Sequence, residues 1–305
     1  MYSTAECESV AAWADCLEIP KRRFFMKHRS QLLMTLLVSV LLLVGTQGMA
    51  KKEMSLLDMY KIMQGMKWVD LTHAFDKNIP HWKGFTGTYD TNLLYHYDPG
   101  VGSDGYGFLV HQYTHVGQWG THVDPPNHFV KGLRSLSDIP VTEMLLPLVV
   151  FDVHEKVAKN PDYMITMDDV KAWEKKYGPV PEGSFCAMRT DWSKRWPSME
   201  KMQNKDENGV AHYPGWSMEV LKYLYETRKI MANGHEPTDT DPGFKTTKDN
   251  YEGEYYVLAQ DKYQIELLTN LDQLPEYGGL VVASWPKALH GSGFPARVFA
   301  IVPNK

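Results

Sequence analysis

One stretch constrains this chain more than any other: Gln118-Trp119-Gly120-Thr121-His122-Val123-Asp124-Pro125-Pro126-Asn127-His128-Phe129. His122 and Asp124 stand two residues apart, so on an extended strand both side chains leave the same face. Pro125-Pro126 cannot continue a central ladder, so the strand ends there. His128 then enters from a turn, at a different angle from the other two. Imidazole nitrogen and carboxylate oxygen converging on one point suit zinc or manganese. At this level a plainer alternative stays open: a polar strand end, with Asp124 forming an Asx turn and His128 stacked on Phe129.

The chain around this motif is large enough to enclose it. Of 305 residues, 43% are apolar, enough for the core of one large domain or two small ones. Net charge is -5, without a basic stripe, which argues against a nucleic-acid partner and for a small-molecule one. The first 50 residues have another character. Met26-Lys27-His28-Arg29 precedes an apolar run over residues 32–44, and Gly48-Met49-Ala50 follows it. That order is the charged start, apolar centre and small-residue cleavage site of a secretory signal peptide. The run falls short of the ~20 residues that span a bilayer, so no stable membrane anchor is expected. We therefore expect residues 1–25 to be a non-native upstream extension, 26–50 a cleavable signal peptide and 51–305 the working domain. The expected location is periplasmic or secreted. The domain retains Cys186 alone, so it can form no intrachain disulfide.

Periodicity outlines the domain. Leu56, Leu57, Tyr60, Met63 and Met66 recur at helical spacing and predict an amphipathic helix ending near Gly65. Residues 68–74 and 108–116 read as strands, the latter leading into the motif. Residues 79–105 read as a long loop with short strands. The continuous apolar runs at 145–153 and 185–190 predict strands buried on both faces. Thr166, with Asp169 three residues on, predicts a capped helix that ends at Gly178, and Ser217 predicts another. Residues 280–283 and 297–302 are late strands. The polar segment 193–213 reads as a surface insertion. Strands outnumber helices, which gives a mixed α/β or α+β class.

The motif resembles the signature of the metal-dependent cyclase family, which includes bacterial kynurenine formamidases and isatin hydrolases. Its pattern is His-x-Gly-Thr-His-x-Asp-x-Pro-x-His, matched here at every fixed position except the first, where Gln118 stands. The likeness runs from about Trp68 to the C-terminus. It takes in Val69-Asp70-Leu71-Thr72, Pro80-His81-Trp82-Lys83-Gly84, the segment from Gly234 to Asp241, Glu266-Leu267-Leu268-Thr269-Asn270-Leu271 and Gly291-Ser292-Gly293-Phe294-Pro295-Ala296-Arg297. It implies an α/β fold: a swivelling β/β/α-type single domain with a mixed sheet.

The resemblance also implies roles. His122 and Asp124 become metal ligands, with Asp124 bridging two metals, and Glu266 becomes a ligand of the second. His128 matches the proton donor and acceptor, since an imidazole near neutrality can take and return a proton. Trp82 matches a residue that contacts aromatic substrate. Gln118 replaces an imidazole ligand; it either binds metal through oxygen or only orients a ligand or water. Glu254 stands where kynurenine formamidases carry a second-metal His. Both departures exchange nitrogen for oxygen, which favours manganese over zinc and puts a dizinc site in doubt. His235-Glu236 either reads as a polar loop held by the turn-forming Asp239 and Asp241, or lets His235 supply a missing ligand or touch substrate. His115, an odd number of residues from Gln118, reads as structural.

The function implied is that of an exported hydrolase acting on a small amide, formamide or lactam through a metal-activated water. A non-catalytic periplasmic metal or ligand-binding protein and a metal-dependent cyclase or dehydratase are the alternatives. The family's frequent oligomers imply a homodimer or homotetramer. The exported protein is expected to begin near Lys51. N-terminal sequencing of material from the native host checks this, and a mature start upstream of Met26 would contradict the signal-peptide reading.

Overall fold

The computed structural model describes residues 54–85, 89–97 and 107–304. Leu57–Lys305 forms one compact unit. The expectations for residues 1–50 lie outside the described residues. Among the described residues, no helix is long and apolar enough to cross a membrane.

In chain order, helix α1 (Leu56–Gln64) leads to strands β1 (Lys67–Asp70), β2 (Asp90–His96), β3 (Leu109–Thr114) and β4 (His122–Asp124). A 3₁₀ turn at Pro126–His128 follows. Next come β5 (Leu145–Asp152), α2 (His154–Lys159), α3 (Met167–Tyr177), β6 (Phe185–Arg189), α4 (Met199–Gln203), α5 (Met218–Lys222) and β7 (Ala232–His235). The chain closes with α6 (Gly243–Thr246), α7 (Glu252–Ala259), β8 (Tyr263–Glu266), β9 (Gly279–Ser284), β10 (Phe294–Pro295) and β11 (Arg297–Val302). Nine strands form one mixed sheet in the order β1-β11-β9-β5-β6-β7-β8-β4-β10. The central run β5-β6-β7-β8 is parallel, and every other pairing is antiparallel. This is the mixed α/β single domain that the family resemblance implies.

Strands β5 and β6 are apolar over residues 148–151 and 185–188, where both faces are covered. Leu146, Leu148, Val150, Phe185 and Ala187 belong to one core cluster. The alternate residues Val149, Phe151, Cys186 and Met188 belong to a second, into which α3 sends Val170 and Trp173 and α5 sends Val220 and Leu221. The expected capping box holds α3: Thr166 and Asp169 exchange side-chain-to-backbone hydrogen bonds, and Gly178 ends the helix. Toward β7, β8 and β4 the second face turns polar. Val123, Ala232 and Ile265 still point into the first cluster, whereas His122, Asp124, Asn233, His235, Gln264 and Glu266 alternate to the other side. One sheet face is therefore hydrophobic core at its centre and a buried polar floor at its edge.

Strand β3 forms within the expected segment 108–116 and pairs with β2 in a separate two-stranded sheet. Two expectations need correction. Residues 193–213 are not simply a surface insertion, because Ser193, Met202, Ala211 and Tyr213 are buried in them. Their polarity reflects turns around inward-pointing anchors. Helix α1 forms where expected, yet none of its residues is buried, and Leu56 is 84% exposed.

His73 follows β1, and its backbone N–H donates to Thr121 Oγ1 at 2.9 Å. Its ring stacks on Trp196 at 4.1 Å and 9°, its Nε2 has no partner, and burial pulls its pKa down to about 4. The fold thus holds a neutral imidazole, and the unfolded chain binds the proton more readily. The stability this carries is present above about pH 6.5 and is lost as pH falls toward 4, by about 2–3 kcal/mol. His73→Phe keeps the stacking ring and removes the titration. Urea unfolding at pH 7 and pH 4.5 should show a smaller acid loss in the variant than in the parent protein.

Candidate metal centre and active site

Register builds the site. In the antiparallel β4–β8 pair His122 lies opposite Glu266 and Asp124 opposite Gln264. These four side chains share one sheet face and are all buried. The Gly-Thr before them has a defined task. Gly120 has φ +66°, a left-handed turn that favours glycine, and a Cβ there would crowd Phe75 at 3.0 Å. Thr121 Oγ1 donates to the Leu267 carbonyl at 2.6 Å, tying the start of β4 to the end of β8. Beyond Asp124 the 3₁₀ turn delivers His128 from the side, as the two prolines require.

Two groups of ligand atoms result: His122, Asp124 and Glu266, and then Asp124, His128 and Glu254. Within each, one atom per residue lies within 4.8 Å of the others. Asp124 belongs to both. His122 Nε2 is 3.4 Å from Asp124 Oδ2 and 3.5 Å from Glu266 Oε2. His122 Nδ1 lies 2.8 Å from the Gly120 carbonyl, so it carries the hydrogen and leaves Nε2 free for a cation. His128 Nε2 is 3.9 Å from both Asp124 Oδ1 and Glu254 Oε1.

The electrostatics call for positive charge. Burial opposes ionisation of His122, but Asp124 and Glu266 outweigh it and hold its pKa well above the ordinary value. Burial likewise opposes ionisation of Asp124, and His122 beside it brings that carboxyl down to about 2. Burial, then Glu266 and Asp124, drive Glu254 well above the usual carboxylate range. Burial and Glu266 push Asp239 up to about 6. Asp124 Oδ1 is buried with no hydrogen-bond partner. A divalent cation would take up that orphaned oxygen and offset the crowded carboxylates, so the donor set fits one.

A second tier of groups holds the donors. Gln264 Nε2 donates to Glu266 Oε1 at 3.1 Å and to Asp124 Oδ2 at 3.3 Å, while its own oxygen accepts from Thr240 Oγ1 at 2.5 Å. Asp241 accepts from the backbone N–H groups of Gly253 and Glu254, fixing the first turn of α7 and with it Glu254. His235 and Glu236 are not a polar loop. His235 ends β7, is fully buried and places Nε2 3.3 Å from Glu266 Oε1. Glu236 accepts from the Thr190 and Ser193 hydroxyls.

A cavity of about 380 Å³ opens over the ligand groups, and Gln118, His122, Asp124, His128, Glu266 and Trp82 all line it. Its walls are His81, Trp82, Phe85, Phe129, Tyr251 and Leu267. Trp82 Nε1 donates to the Tyr251 hydroxyl at 2.8 Å, joining the loop before β2 to the start of α7. Asp239 also lines the cavity and accepts from the Tyr213 hydroxyl at 2.5 Å. Sequence reasoning left Tyr251 and Gln264 unassigned and took Asp239 only as a turn-forming residue. Gln264 was within reach, two residues before Glu266 on the same strand face. Nothing local marks the other two. His115 stays out of this cavity and packs on Phe75 and Phe294.

The Cyclase family model matches residues 69–242. The isatin hydrolase of Roseibium aggregatum is 34% identical over 191 residues, spanning 61% of this chain and 72% of that protein. Isatin hydrolase A from Labrenzia aggregata, solved bound to benzyl benzoate, aligns with a TM-score of 0.72 at 30% identity. That alignment covers 81% of this chain and 99% of the other. An isatin hydrolase bound to the product analogue thioisatinate aligns with a TM-score of 0.72 at 27% identity, over 82% of this chain and 100% of the other. The motif strand, its prolines and the carboxylate facing it across β8 are thus carried by a chain that belongs to the cyclase family.

Proposed function

We propose that this chain is an exported metal-dependent hydrolase that cleaves a small amide, formamide or lactam, a planar cyclic amide fitting best. One observation carries the reading: a single cavity joins a His/carboxylate floor suited to a divalent cation with aromatic walls suited to a flat ring. The similarity to isatin hydrolases supports it.

A cation held by His122, Asp124 and Glu266, with Gln118 and Glu254 nearby, would supply Lewis acidity and lower the pKa of water. The chain's own groups do the rest. Trp82, Phe129 and Tyr251 hold the ring and exclude solvent. His128 stands beside the shared Asp124, where it can take a proton from the attacking water and return it to the departing nitrogen. Gln264 and His235 keep the carboxylates aimed. The donor set is rich in oxygen, which supports manganese over zinc. After chelation and reloading, activity should be higher with manganese; equal activity with two zinc ions per subunit would contradict this.

Asp124→Ala should lose both metal and turnover, because Asp124 belongs to both ligand groups. His128→Ala should keep its metal and lose on the order of a hundredfold or more in kcat on a lactam such as isatin. Metal analysis beside steady-state kinetics checks both. A metal-free but folded His128→Ala protein would make His128 a ligand instead.

Assembly as a homodimer or homotetramer belongs to the same reading. Leu56, Leu57, Leu93, Leu94 and Tyr113 on α1, β2 and β3 are exposed. A nine-residue helix and a two-stranded sheet are marginal in water unless covered. Light scattering on the purified protein should give a multiple of the chain mass, and a monomer at micromolar concentration would count against it.

A further inference from the structure

Asp239 is buried, yet it lines the cavity, and its two oxygens are not equivalent. Oδ2 accepts from the Tyr213 hydroxyl at 2.5 Å and from the Thr238 hydroxyl at 2.7 Å. Oδ1 has no hydrogen-bond partner among the described residues and, unlike Asp124 Oδ1, is not fully enclosed. The direction of each oxygen follows from its neighbours. Tyr213 and Thr246, whose hydroxyls bond each other, line a second cavity of about 260 Å³ and not the first. Oδ2 is therefore turned toward the second cavity, which leaves Oδ1 on the side of the first.

The carboxyl stands beside the ligand groups. After burial, Glu266 is the largest influence on its ionisation, and Asp239 acts in turn on Glu254. At pH 8, above the value of about 6 to which burial and Glu266 raise it, Asp239 is ionised and can only accept. The wall around it is apolar or already engaged: Phe85, Phe129 and Leu267 carry no polar side-chain group, and the Trp82 N–H is taken by Tyr251. A charged oxygen facing such a cavity is stabilised by a donor on whatever fills it. A lactam supplies one. Its amide is cis, so carbonyl and N–H lie along one edge of the ring and can reach the ligand groups and Asp239 together.

We propose that Asp239 Oδ1 accepts a hydrogen bond from the N–H of the substrate's amide, so that the site selects lactams unsubstituted at nitrogen over N-alkyl lactams and lactones. The inference rests on the reading of the chain as an amide hydrolase and narrows it to one substrate class.

Oxindole and 2-indanone test this on the metal-loaded protein, because they share one shape and differ by N–H against CH2. At pH 8, calorimetry should show oxindole bound at least about tenfold tighter, the usual worth of a hydrogen bond to a charged group. Asp239→Ala and Asp239→Leu, of which the second keeps the bulk, should bring the two ligands within about threefold of each other; pairing residue against ligand isolates the N–H contact. The kcat/KM ratio of isatin over N-methylisatin should likewise fall by about tenfold or more in both variants. Thr238→Val removes one of the hydroxyls that hold Oδ2 and serves where the Asp239 variants do not fold; it should narrow the oxindole preference at least about threefold. The proposal is overturned if the parent protein binds the two ligands equally. It is also overturned if the preference persists in the folded Asp239 variants or, where these do not fold, in Thr238→Val. The acceptor then lies elsewhere on the wall, with His81 the next candidate, since its Nδ1 is engaged by the Trp82 carbonyl and its Nε2 is left to accept. Isatin turnover, assayed alongside, separates the two ideas. A protein that leaves isatin intact but holds the oxindole preference through Asp239 counts against the hydrolase reading alone. One that hydrolyses isatin with the preference absent or unmoved defeats only the role given to Asp239.

Discussion

The antiparallel pairing of β4 with β8 is the interaction on which the site depends. It sets His122 against Glu266 and Asp124 against Gln264, while Val123 and Ile265 point into the core. Side chains alternate with a period of two, so a slip of one residue would turn the apolar pair to the cavity and the donors into the core. Thr121 guards against that slip. Its hydroxyl reaches the Leu267 carbonyl and accepts the His73 N–H, locking three segments at the strand end. The prolines after Asp124 then stop the strand, so the next imidazole arrives from outside the sheet.

That geometry concentrates acid groups. Asp124, Glu254, Glu266 and Asp239 are all buried, and beyond burial itself Glu266, Asp124 and Asp239 raise the cost of ionising Glu254, as Glu266 does for Asp239. Their arrangement is a liability for the polypeptide alone and an asset once a cation is present. The second tier limits the liability: Gln264 donates to two of the carboxylates, Tyr213 to Asp239, and the first turn of α7 is fixed by Asp241. Aromatic residues wall the cavity above this floor, and a charge interaction strengthens where the surroundings are less polar than water.

Much of this was legible in the chain. The i, i+2 spacing of His122 and Asp124 placed them on one face, Pro125-Pro126 ended the strand, and the apolar runs at β5 and β6 declared burial on both sides. Thr166 with Asp169 marked the start of α3. Misreadings arose where polarity was taken for exposure. His235 and Glu236 look like a loop because they sit among turn-forming residues, yet His235 ends a buried strand with Nε2 3.3 Å from Glu266, and the Glu236 carboxylate accepts from Thr190 and Ser193. The segment 193–213 misled for the same reason, since its few anchors are scattered without a period.

What the sequence determined by itself is local: the direction in which the motif's side chains leave the strand, the break after Asp124, and the family likeness written in short spacings. Only the tertiary structure decided which distant groups meet them. Glu254 joins because Asp241 fixes the start of α7, and Tyr251 because Trp82 bonds it across 169 positions. Gln118 turns toward Ser292 because two glycines let distant backbones touch. Those contacts depend on how the sheet curls and where α7 comes to rest. No periodicity in the chain encodes that, because it follows from packing the whole core at once.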